Sequence, residues 1–565
     1  MTEMNGAKAV VESLKTQKVK DVFGIPGGAT LFIYDVLYDS GLNHVLARHE
    51  QGAAHMADGY ARVSGVPGVC MATSGPGATN LVTGIASAYM DSSPIVAFTG
   101  QVNVRSANSS YMIGRDAFQE ADIVGITTPI TKHNYQVEHA VDIPRVVKEA
   151  FYIAASGRPG PVLVDLPKDV QVETADMDFS TAINLRGYKP RDNPHPIQVK
   201  RAAQLLLKAK KPIVLAGGGV ILSGAARELA RLAEFMLMPV GTTFMGKGAV
   251  PETHPLALGC VGMHGSIEAN KLILEADVIL AVGTRFSDRT TGTLDEFCPE
   301  ATIIHVDVDS AEIGKNVKTD LPIVADAKKA LRSIYEQVAH KTEKTTQSPW
   351  FGRVEQIKEE YREAVKGVSS LQPRDLLREL RTLLPAKAIV ATEVGQNQMW
   401  AALHYKVLEP RTFISSGGLG TMGFGFPASI GAKVAKPDVP VVDIAGDGSF
   451  RMTEQELSTS VTQGIPVIVA ILNNSTLGMV YQWQRLFYNK RFAESKLGSV
   501  PDFVKLAAAY GAQGIRANSL PEFSKAVKEG LKNEVTTVID IPISPDEDVY
   551  PMVPAGAGLP GMIWK

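Results

Sequence analysis

Cysteine is scarce in this sequence, and the few cysteines are far apart. Only three occur in 565 residues, at Cys70, Cys260 and Cys298. An odd number without metal-ligand spacing predicts neither a disulfide framework nor a zinc site. The composition therefore favours a reducing compartment.

The sequence also lacks long apolar runs and an excess of one charge. No run reaches the roughly 18 apolar residues of a membrane span, and the net charge is −2 at pH 7. Without a long basic block, nucleic acid has no electrostatic reason to bind. Residues 1–17 predict an amphipathic helix that begins at once, with no secretory or transit signal. We therefore expect a cytoplasmic protein without membrane or nucleic-acid partners.

Short runs rich in valine and isoleucine alternate with helical patterns along most of the chain. They are bounded by glycine, proline or aspartate, as is typical of parallel strands buried on both faces. With helices between them, these runs predict open α/β sheets. Nine such runs lie at 68–74, 93–100, 161–167, 211–219, 276–283, 302–309, 387–395, 439–448 and 465–474.

Two stretches divide the chain into three blocks. Residues 188–196 are polar and rich in proline, and residues from about 339 to 372 are charged and lack strand patterns. We predict an α/β fold with three doubly wound parallel-sheet domains. Their bounds are 1–187, 188–340 and 373–565, with a linker at 341–372 and a C-terminal tail on the last domain. Periodicity alone shows no relation between the first and third blocks.

The sharpest motif is Gly446-Asp447-Gly448, which follows a predicted strand. Asn473-Asn474 ends the next strand, and Asn474 lies 27 residues after Asp447, enough for one strand–helix–strand crossover. Both polar groups are then expected at the carboxyl edge of parallel strands, where α/β sheets bind ligands. Glycine backbone suits a diphosphate, and Mg²⁺ prefers oxygen ligands. The alternative is a tight turn after a strand.

This pair of motifs resembles the cofactor motif of thiamine-diphosphate enzymes, and the resemblance covers essentially the whole chain. It implies two cofactor domains that flank a Rossmann-like central domain. It also implies that Asp447, Asn474 and the backbone carbonyl of Thr476 hold Mg²⁺. Asn397 stands where the family has histidine, and Met422 matches the bulky residue that keeps the cofactor bent. The other implied contacts on the diphosphate side are Val394, Gly395, Gln396, Gly420, Gly446, Gly448, Ser449, Gly478 and Met479.

Glu50 matches the activating glutamate of this family. A carboxyl group against a ring nitrogen shifts the cofactor's aminopyrimidine to its imino form. Pro26 and Gly27 match the loop on the aminopyrimidine side. Taken alone, Glu50 would be interpreted as a surface or helix-capping glutamate. In the family the glutamate and the diphosphate site meet between subunits, which implies a homodimer or a homotetramer.

The middle block distinguishes the branches of the family. Segments 211–219, 241–248, 262–265, 283–292 and 305–309 resemble the FAD-binding segments of biosynthetic acetohydroxyacid synthases. The implied flavin is structural, since joining two keto acids involves no net redox change. The alternative is a Rossmann-like block with no ligand. The implied flavin contacts are Gly217, Gly218, Thr242, Met263, His264, Gly283, Arg285, Asp288, Arg289, Asp307, Val308, Asp326 and Ala327.

Further matches concern the acceptor side of the predicted active site. By resemblance, Phe118 and Gln119 lie near the thiazolium ring, and Lys168 lines the channel. Arg289 would pair with the acceptor carboxylate, for which a planar guanidinium is well suited. Met479 and Trp483 share one face if that segment is helical. In relatives the tryptophan favours 2-ketobutyrate as the acceptor, whereas the alternative for both residues is an ordinary core position.

The resemblance implies a catalytic subunit that decarboxylates pyruvate and condenses the hydroxyethyl unit with pyruvate or 2-ketobutyrate. The products, 2-acetolactate and 2-aceto-2-hydroxybutyrate, are precursors of branched-chain amino acids. A small regulatory subunit is a further candidate partner. Two alternatives stay open: a pyruvate oxidase or another 2-keto acid decarboxylase, and a flavin- or nucleotide-binding regulatory protein without catalysis. One segment, 100–114, is about six residues longer than in the family, with Asn103 in place of a proline.

Overall fold

The computed structural model describes residues 2–105, 112–362, 367 and 370–564. Six residues of the long segment at 100–114 (106–111) lie outside this description. Three six-stranded parallel sheets form the framework of the described chain. None of the helices described in these ranges is long and apolar enough to cross a membrane.

The first sheet is built from β2 to β7, and β1 and β8 form a separate antiparallel pair. The strands are β1 (Thr2–Asn5), β2 (Asp21–Gly24), β3 (Asn43–Leu46), β4 (Gly68–Ala72), β5 (Ile95–Gln101), β6 (His133–Gln136), β7 (Val162–Pro167) and β8 (Thr174–Met177). The helices are α1 (Gly6–Thr16), α2 (Leu31–Tyr38), α3 (Glu50–Ser64), α4 (Pro76–Asn80), α5 (Val82–Met90), α6 (Ile123–Thr127), α7 (Ile143–Ala155) and α8 (Lys168–Val172).

The start of the chain corrects one sequence prediction. Residues Thr2–Asn5 form β1, which pairs with β8, so the helix does not begin at once but at Gly6. The side chain of Asn5 accepts a hydrogen bond of 2.9 Å from the backbone N–H of Lys8 and caps the helix. Asparagine is among the preferred N-cap residues, and this signal marks the true helix start.

The middle sheet contains β9 to β14. The strands are β9 (Pro212–Ala216), β10 (Val240–Thr242), β11 (Ala257–Cys260), β12 (Val278–Val282), β13 (Thr302–Asp307) and β14 (Leu321–Val324). The helices are α9 (Pro196–Lys208), α10 (Gly218–Leu222), α11 (Ala226–Met236), α12 (Ile267–Leu274), α13 (Asp288–Thr291), α14 (Ala327–Ala339) and α15 (Pro349–Glu360).

The third sheet contains β15 to β20. The strands are β15 (Ile389–Thr392), β16 (Phe413–Ser415), β17 (Val441–Gly446), β18 (Ile468–Asn473), β19 (Gln513–Arg516) and β20 (Thr537–Pro542). The helices are α16 (Pro373–Leu383), α17 (Gln396–His404), α18 (Gly425–Ala435), α19 (Asp447–Phe450), α20 (Glu456–Thr462), α21 (Gly478–Phe487), α22 (Phe503–Ala509) and α23 (Leu520–Gly530).

The first and third sheets share one strand order. The orders are β3-β2-β4-β5-β7-β6 and β16-β15-β17-β18-β20-β19. Numbered within each sheet, both therefore run 2-1-3-4-6-5. The middle sheet runs β11-β10-β9-β12-β13-β14, which is the order of a dinucleotide-binding Rossmann fold. The structure thus reveals a relation between the first and third blocks that periodicity did not show.

Each sheet is buried on both faces, as the apolar runs predicted. All nine runs form strands of the three sheets. Along β4, Val69 and Met71 belong to one buried cluster, while Cys70 and Ala72 belong to another on the opposite face. This alternation follows from the period of two along a strand. The prediction of three doubly wound α/β domains is confirmed.

Helices α3 and α18 join the first and third domains into one core. A Cβ atom on Gly59 would lie 2.1 Å from the carbonyl oxygen of Ala428, and one on Gly431 would lie 1.9 Å from that of Met56. The two helix backbones therefore touch at glycines. Side chains from both domains, including Met56 and Phe424, form one buried cluster there. The close crossing fixes the N-terminus of α3, where Glu50 begins the helix.

The predicted linker at 341–372 carries structure of its own. It contains α15, whose Trp350, Val354 and Ile357 are buried in a cluster beside the middle sheet. The indole N–H of Trp350 donates a hydrogen bond of 3.0 Å to the carbonyl of Pro212. From the far end of the chain, Leu559 joins the same cluster. The domain bounds at 187, 340 and 372 stay predictions.

Candidate active site

Loops at the carboxyl edge of the third sheet enclose a cavity of about 90 Å³. Strands β15, β17 and β18 end there, so the parallel sheet brings together segments that are far apart in sequence. One predicted diphosphate contact, Gly420, lies outside the wall. Four residues that were not predicted belong to the wall: Trp400, Leu472, Leu477 and Val480. The predicted residues in the wall are Val394, Gly395, Gln396, Asn397, Met422, Gly446, Asp447, Gly448, Ser449, Asn474, Thr476, Gly478 and Met479.

Asp447 has one open carboxylate oxygen in this wall. Its Oδ1 accepts a hydrogen bond of 3.3 Å from the backbone N–H of Asn474. Its Oδ2 is buried and has no hydrogen-bond partner among the described residues. Burial raises the pKa of Asp447 to about 6, and the nearby Arg451 guanidinium opposes that rise. A buried carboxylate is costly unless it is paired or binds a cation, so this oxygen fits a magnesium ligand.

Asn474 and Thr476 form a tight turn beside Asp447. The side-chain oxygen of Asn474 accepts hydrogen bonds from the backbone N–H of Thr476, at 3.1 Å, and from its hydroxyl, at 2.8 Å. A carbonyl oxygen accepts two such bonds, so a bound metal would replace one of them. The described residues contain no cluster of three or more acidic, histidine or cysteine ligands. A metal here would rely on amide and carbonyl oxygens beside a single carboxylate.

Two side chains next to the cavity bear on its shape. Asn397 is buried, and its amide donates a hydrogen bond of 2.8 Å to the carbonyl of Ile444, which uses one of its two N–H groups. Glu393, which the sequence analysis did not single out, accepts hydrogen bonds of 2.9 Å from the backbone N–H groups of Gly423 and Phe426. The sequence signal that could have identified Glu393 is its position directly after β15 and directly before Val394, which matches the family.

Glu50 lies at the carboxyl edge of the first sheet. It is the first residue of α3 and is half-buried, and its Oε2 accepts a hydrogen bond of 2.9 Å from the side chain of Asn80. Its Oε1 lies 3.3 Å from where a Cβ atom of Gly77 would be, so the glycine-rich turn after β4 faces this carboxylate. The loop of Pro26 and Gly27 follows β2 at the same edge.

The predicted acceptor-side residues are spread over all three domains, with Arg289 on α13 in the middle one. Gln119 packs beside Gly75, while the side chain of Phe118 is 89% exposed. Lys168 begins α8 directly after β7. Met479 and Trp483 lie on α21, so the segment is helical and the two residues are one turn apart, and Met479 lines the cavity.

The two predicted halves of the active site do not share this cavity. Its described wall comes only from residues 394–480. Glu50, Gln119 and Lys168 lie in the first domain and contribute nothing to it. The prediction that the halves meet between two subunits is compatible with this arrangement and stays a prediction.

A larger cavity of about 570 Å³ lies where the three domains meet. Its volume is in the range of small-molecule and cofactor sites. The first domain contributes Asp91 and Arg158, and the third contributes Gly417; the sequence analysis missed all three. Asp91 and Arg158 stand in no predicted motif, and Gly417 begins a segment that matches the diphosphate side; only the domain packing brings the three to the middle sheet. The predicted flavin contacts in the wall are Gly218, Gly283, Arg285, Arg289, Asp307, Val308, Asp326 and Ala327.

The charges of this wall fit a flavin dinucleotide. Arg158, Arg285 and Arg289 bring three guanidinium groups to it, and guanidinium forks suit a diphosphate. Arg158 is held by Glu312, at 2.6 Å. Burial raises the pKa of Asp307 to about 6, and its carboxylate can accept a hydrogen bond from a ligand hydroxyl. The residues present therefore fit the predicted group.

Five predicted flavin contacts lie outside this wall. A Cβ atom on Gly217 would lie 2.0 Å from the carbonyl oxygen of Gly283, so that glycine permits close backbone packing. Thr242 is buried, and its hydroxyl lies 3.7 Å from the Cys260 sulfur. His264 is half-buried, and desolvation of its imidazole lowers its pKa to about 4.

The other two lie beside Arg289. The sulfur of Met263 accepts a contact of 3.0 Å from the Arg289 guanidinium. The side chain of Asp288 is 79% exposed and lies 3.7 Å from Arg289. Their predicted contact with a flavin stays a prediction.

Known proteins resemble the chain over nearly its full length. A probable acetolactate synthase large subunit of Methanocaldococcus jannaschii is 51% identical, over 99% of this chain and 95% of the relative. The isozyme 3 acetolactate synthase large subunit of Escherichia coli K12 is 46% identical, over 100% of this chain and 99% of the relative. That of Corynebacterium glutamicum is 47% identical, over 98% and 89%. The chain belongs to the acetolactate synthase large-subunit family.

Three family models match successive parts of this family member. The thiamine pyrophosphate enzyme N-terminal TPP binding domain matches residues 4–126. The central domain of the same enzymes matches residues 199–334. The C-terminal TPP binding domain matches residues 393–541. Each model falls on one of the three sheets, and the third contains the GDG and NN motifs. The resemblance predicted from the motifs is confirmed.

Proposed function

We propose that this chain is the catalytic subunit of an acetohydroxyacid synthase. It would decarboxylate pyruvate and transfer the two-carbon unit to pyruvate or 2-ketobutyrate, giving 2-acetolactate or 2-aceto-2-hydroxybutyrate. One observation carries this proposal: Asp447 and Asn474, from separate strands, meet in a cavity of a thiamine pyrophosphate enzyme domain, and one carboxylate oxygen there is open. Relatives named acetolactate synthase cover both this site and Glu50.

Thiamine diphosphate and Mg²⁺ are the proposed cofactors of the smaller cavity. Thiamine diphosphate, when bound, supplies a nucleophilic carbon that adds to the keto group of a 2-keto acid. Asp447 Oδ2, the Asn474 side-chain oxygen and the Thr476 carbonyl would hold the metal. Gly446 and Gly448 leave room for the diphosphate beside the backbone. Met422, in the same wall, would press the cofactor into a bent shape.

Glu50 is the proposed acid–base group. Its carboxyl would hold a proton against a ring nitrogen of the aminopyrimidine, which favours the imino form. Asn80 already fixes one oxygen of this carboxylate at 2.9 Å. Pro26 and Gly27 would support the ring from the loop after β2. The aminopyrimidine would reach Glu50 from the diphosphate site of a second subunit, in a homodimer or homotetramer.

FAD is the proposed occupant of the larger cavity, where it would have a structural role. Arg158 and Arg285 would neutralise its diphosphate, and Asp307 would accept a bond from a hydroxyl of the ligand. Arg289 would serve the second keto acid by pairing with its carboxylate. Phe118, Gln119, Lys168, Met479 and Trp483 would shape the acceptor side of the site and exclude water from it.

The relatives named large subunits suggest a small regulatory subunit as a partner. We propose such a partner for this chain, and a cytoplasmic location in keeping with its three unpaired, buried cysteines.

A competition assay tests the proposed function. The protein is incubated with thiamine diphosphate, Mg²⁺, FAD and a mixture of pyruvate and 2-ketobutyrate, and all products are quantified. We expect 2-acetolactate and 2-aceto-2-hydroxybutyrate. Acetaldehyde or acetyl phosphate as the main product would instead reveal a decarboxylase or an oxidase. Absence of turnover with every cofactor present would favour the regulatory alternative.

A further inference from the structure

The corner that carries Asn474 has a counterpart in the first domain, because the two sheets share one strand order. Strand β18 pairs with β20 so that Asn473 faces Pro542. Strand β5 pairs with β7 in the same register, so that Gln101 faces Pro167. Asn473 and Gln101 therefore occupy equivalent positions at the ends of equivalent strands.

Both corners are anchored by a buried aspartate two residues before the proline. Asp540 accepts a hydrogen bond of 2.8 Å from the Asn473 amide. Asp165 accepts one of 3.2 Å from the Gln101 amide. Asp540 is 1% exposed and Asp165 is fully buried. The chain thus contains the same anchor twice.

The second neighbours of the two aspartates differ in charge. Arg516 faces Asp540 across β19 and β20, and its guanidinium donates two hydrogen bonds, of 2.8 and 3.1 Å, to one carboxylate oxygen. Gln136 faces Asp165 at the equivalent position and donates one bond of 3.1 Å. Asp540 therefore has a charged partner, and charge-assisted hydrogen bonds are roughly twice as strong as neutral ones. The partners of Asp165 are neutral, and they include the Thr99 hydroxyl, which donates a hydrogen bond of 2.7 Å.

Only the third-domain corner carries metal-ligand side chains. Gly446 pairs with Leu472, and Ala72 pairs with Thr99. Asn474 directly follows Asn473 and is therefore equivalent to Val102, which directly follows Gln101. With the two sheets aligned in this way, the strand pairs make Asp447 equivalent to Ser74. A valine offers no side-chain oxygen. The first-domain corner therefore has the buried aspartate but no metal-ligand side chains. A substitution of that aspartate can serve as the control for the same substitution in the third domain.

We infer that Asp540 is the positioning residue of the metal corner, acting through Asn473. The Asn473 amide donates to Asp540, and its oxygen accepts a hydrogen bond of 3.1 Å from the backbone N–H of Ser475. Turning the amide over would place its oxygen against the carboxylate, so Asp540 fixes its direction. Ser475 has φ of +56°, a costly conformation for a residue with a Cβ atom. The oriented Asn473 stabilises that turn.

The turn at Ser475 decides where the ligands point. It lies between Asn474 and Thr476, which supply the proposed amide and carbonyl oxygens. Loss of the anchor would let the Asn473 amide rotate and the turn relax, and both oxygens would lose their direction toward Asp447. Groups one shell outside a metal site commonly change its affinity about 10–100-fold. This inference rests on the proposed function, because it presupposes that a metal binds at Asp447.

Magnesium titrations of three proteins test the inference. Cofactor-depleted protein with saturating thiamine diphosphate is titrated with Mg²⁺, and binding is followed by the fluorescence of Trp400, which lines the cavity. The unmodified chain is compared with Asp540→Asn and with the matched control Asp165→Asn. We expect Asp540→Asn to bind Mg²⁺ at least about 10-fold more weakly. Its turnover should recover at saturating Mg²⁺, and Asp165→Asn should bind Mg²⁺ as the unmodified chain does.

Several results would overturn this assignment. Unchanged Mg²⁺ affinity in Asp540→Asn would remove the positioning role, and an equal loss in Asp165→Asn would show a general effect of removing a buried acid. If Asp540→Asn does not fold, Asn473→Ala removes the other partner of the same hydrogen bond and should also weaken Mg²⁺ binding. An unchanged Mg²⁺ affinity in Asn473→Ala would show that this hydrogen bond does not position the metal ligands. Failure of the unmodified chain to bind Mg²⁺ and thiamine diphosphate would overturn the proposed function itself.

Discussion

The hydroxyl of Ser449 donates a hydrogen bond of 2.5 Å to Oε2 of Glu393 in the interior of the third domain. The same carboxylate accepts the backbone N–H groups of Gly423 and Phe426. One buried acid therefore ties together the segments after β15 and β17 and the segment that carries Met422. Burial raises the pKa of Glu393, while these hydrogen bonds lower it. The three loops of the smaller cavity depend on this one side chain.

Replacing Glu393 with glutamine should weaken cofactor binding. An amide offers one acceptor oxygen where the carboxylate offers two, so either the Ser449 side or the Phe426 side loses its partner. We expect thiamine diphosphate to bind about 10-fold more weakly, which corresponds to about 1.4 kcal/mol. A fluorescence titration at saturating Mg²⁺ measures this. Glu149→Gln is the matched control, because Glu149 is a buried acid that contacts Tyr135 and Arg145 far from these loops. Equal affinities in both variants would contradict the account.

Trp483 should control the choice of acceptor. It lies on α21 one turn after Met479, which lines the cavity. Trp483→Leu removes aromatic surface that would contact the extra methyl group of 2-ketobutyrate, and one methylene is worth roughly 10-fold or more in discrimination. We expect the product ratio in a mixture of the two acceptors to shift toward 2-acetolactate. Phe487→Leu, one turn further along the helix, should leave the ratio unchanged. A ratio unaffected by Trp483→Leu would remove this role.

Flavin affinity should depend on pH through Asp307. Burial raises its pKa to about 6, so the carboxylate is ionised above that pH and protonated below it. The ionised form is the better acceptor for a ligand hydroxyl. Binding should therefore be strongest above about pH 6 and fall as the pH drops below it, by up to about 10-fold per pH unit. Flavin fluorescence titrations between about pH 5 and pH 8, on both sides of the Asp307 pKa, measure the effect. In Asp307→Asn the fall should disappear; a fall that persists would assign it to another group.

The crossing of α3 and α18 should not tolerate a methyl group. A Cβ atom on Gly59 would meet the Ala428 carbonyl at 2.1 Å, so Gly59→Ala must push the helices apart. Overpacking of this kind costs about 1–3 kcal/mol or more. Gly352, on α15, has open space around its Cβ position. Gly352→Ala should therefore stabilise by up to about 1 kcal/mol through helix propensity. Thermal unfolding midpoints of the two variants should shift in opposite directions, and equal shifts would contradict the crossing.

The buried strands and the meeting of Asp447 with Asn474 were predictable because their signals are local. The buried central strands are short apolar runs, and Asp447 and Asn474 each follow such a run directly. Polar strands such as β6 (His133–Gln136) and β19 (Gln513–Arg516) carry no such signal. Parallel strands place their carboxyl ends at one edge, so the sequence was enough to expect the two residues to meet. The spacing of Met479 and Trp483 indicates a shared face only once the segment is known to be helical, as α21 is.

The rest depends on contacts between distant segments. Arg158 and Gly417 reach the larger cavity only because three domains pack together. The duplicated strand order was hidden because equivalent positions carry different side chains, such as Asp447 and Ser74. The motif predicts that Gly217 contacts the flavin, and the structure adds that its lack of a side chain permits close packing against Gly283. The sequence pattern indicates which residues have side chains suited to bind a ligand. The packing of the three domains determines which of them face a cavity.

In the proposed mechanism, Glu50 activates a thiamine cofactor held in a site built around Asp447. The most direct test measures 2-acetolactate formation from pyruvate by the unmodified chain, Glu50→Ala and the surface control Glu12→Ala, with bound FAD quantified in each. We expect Glu50→Ala to lose activity by about 10²–10⁴-fold and to keep its normal FAD content, while Glu12→Ala keeps normal activity and normal FAD content. Near-normal synthesis of 2-acetolactate by Glu50→Ala would contradict this mechanism.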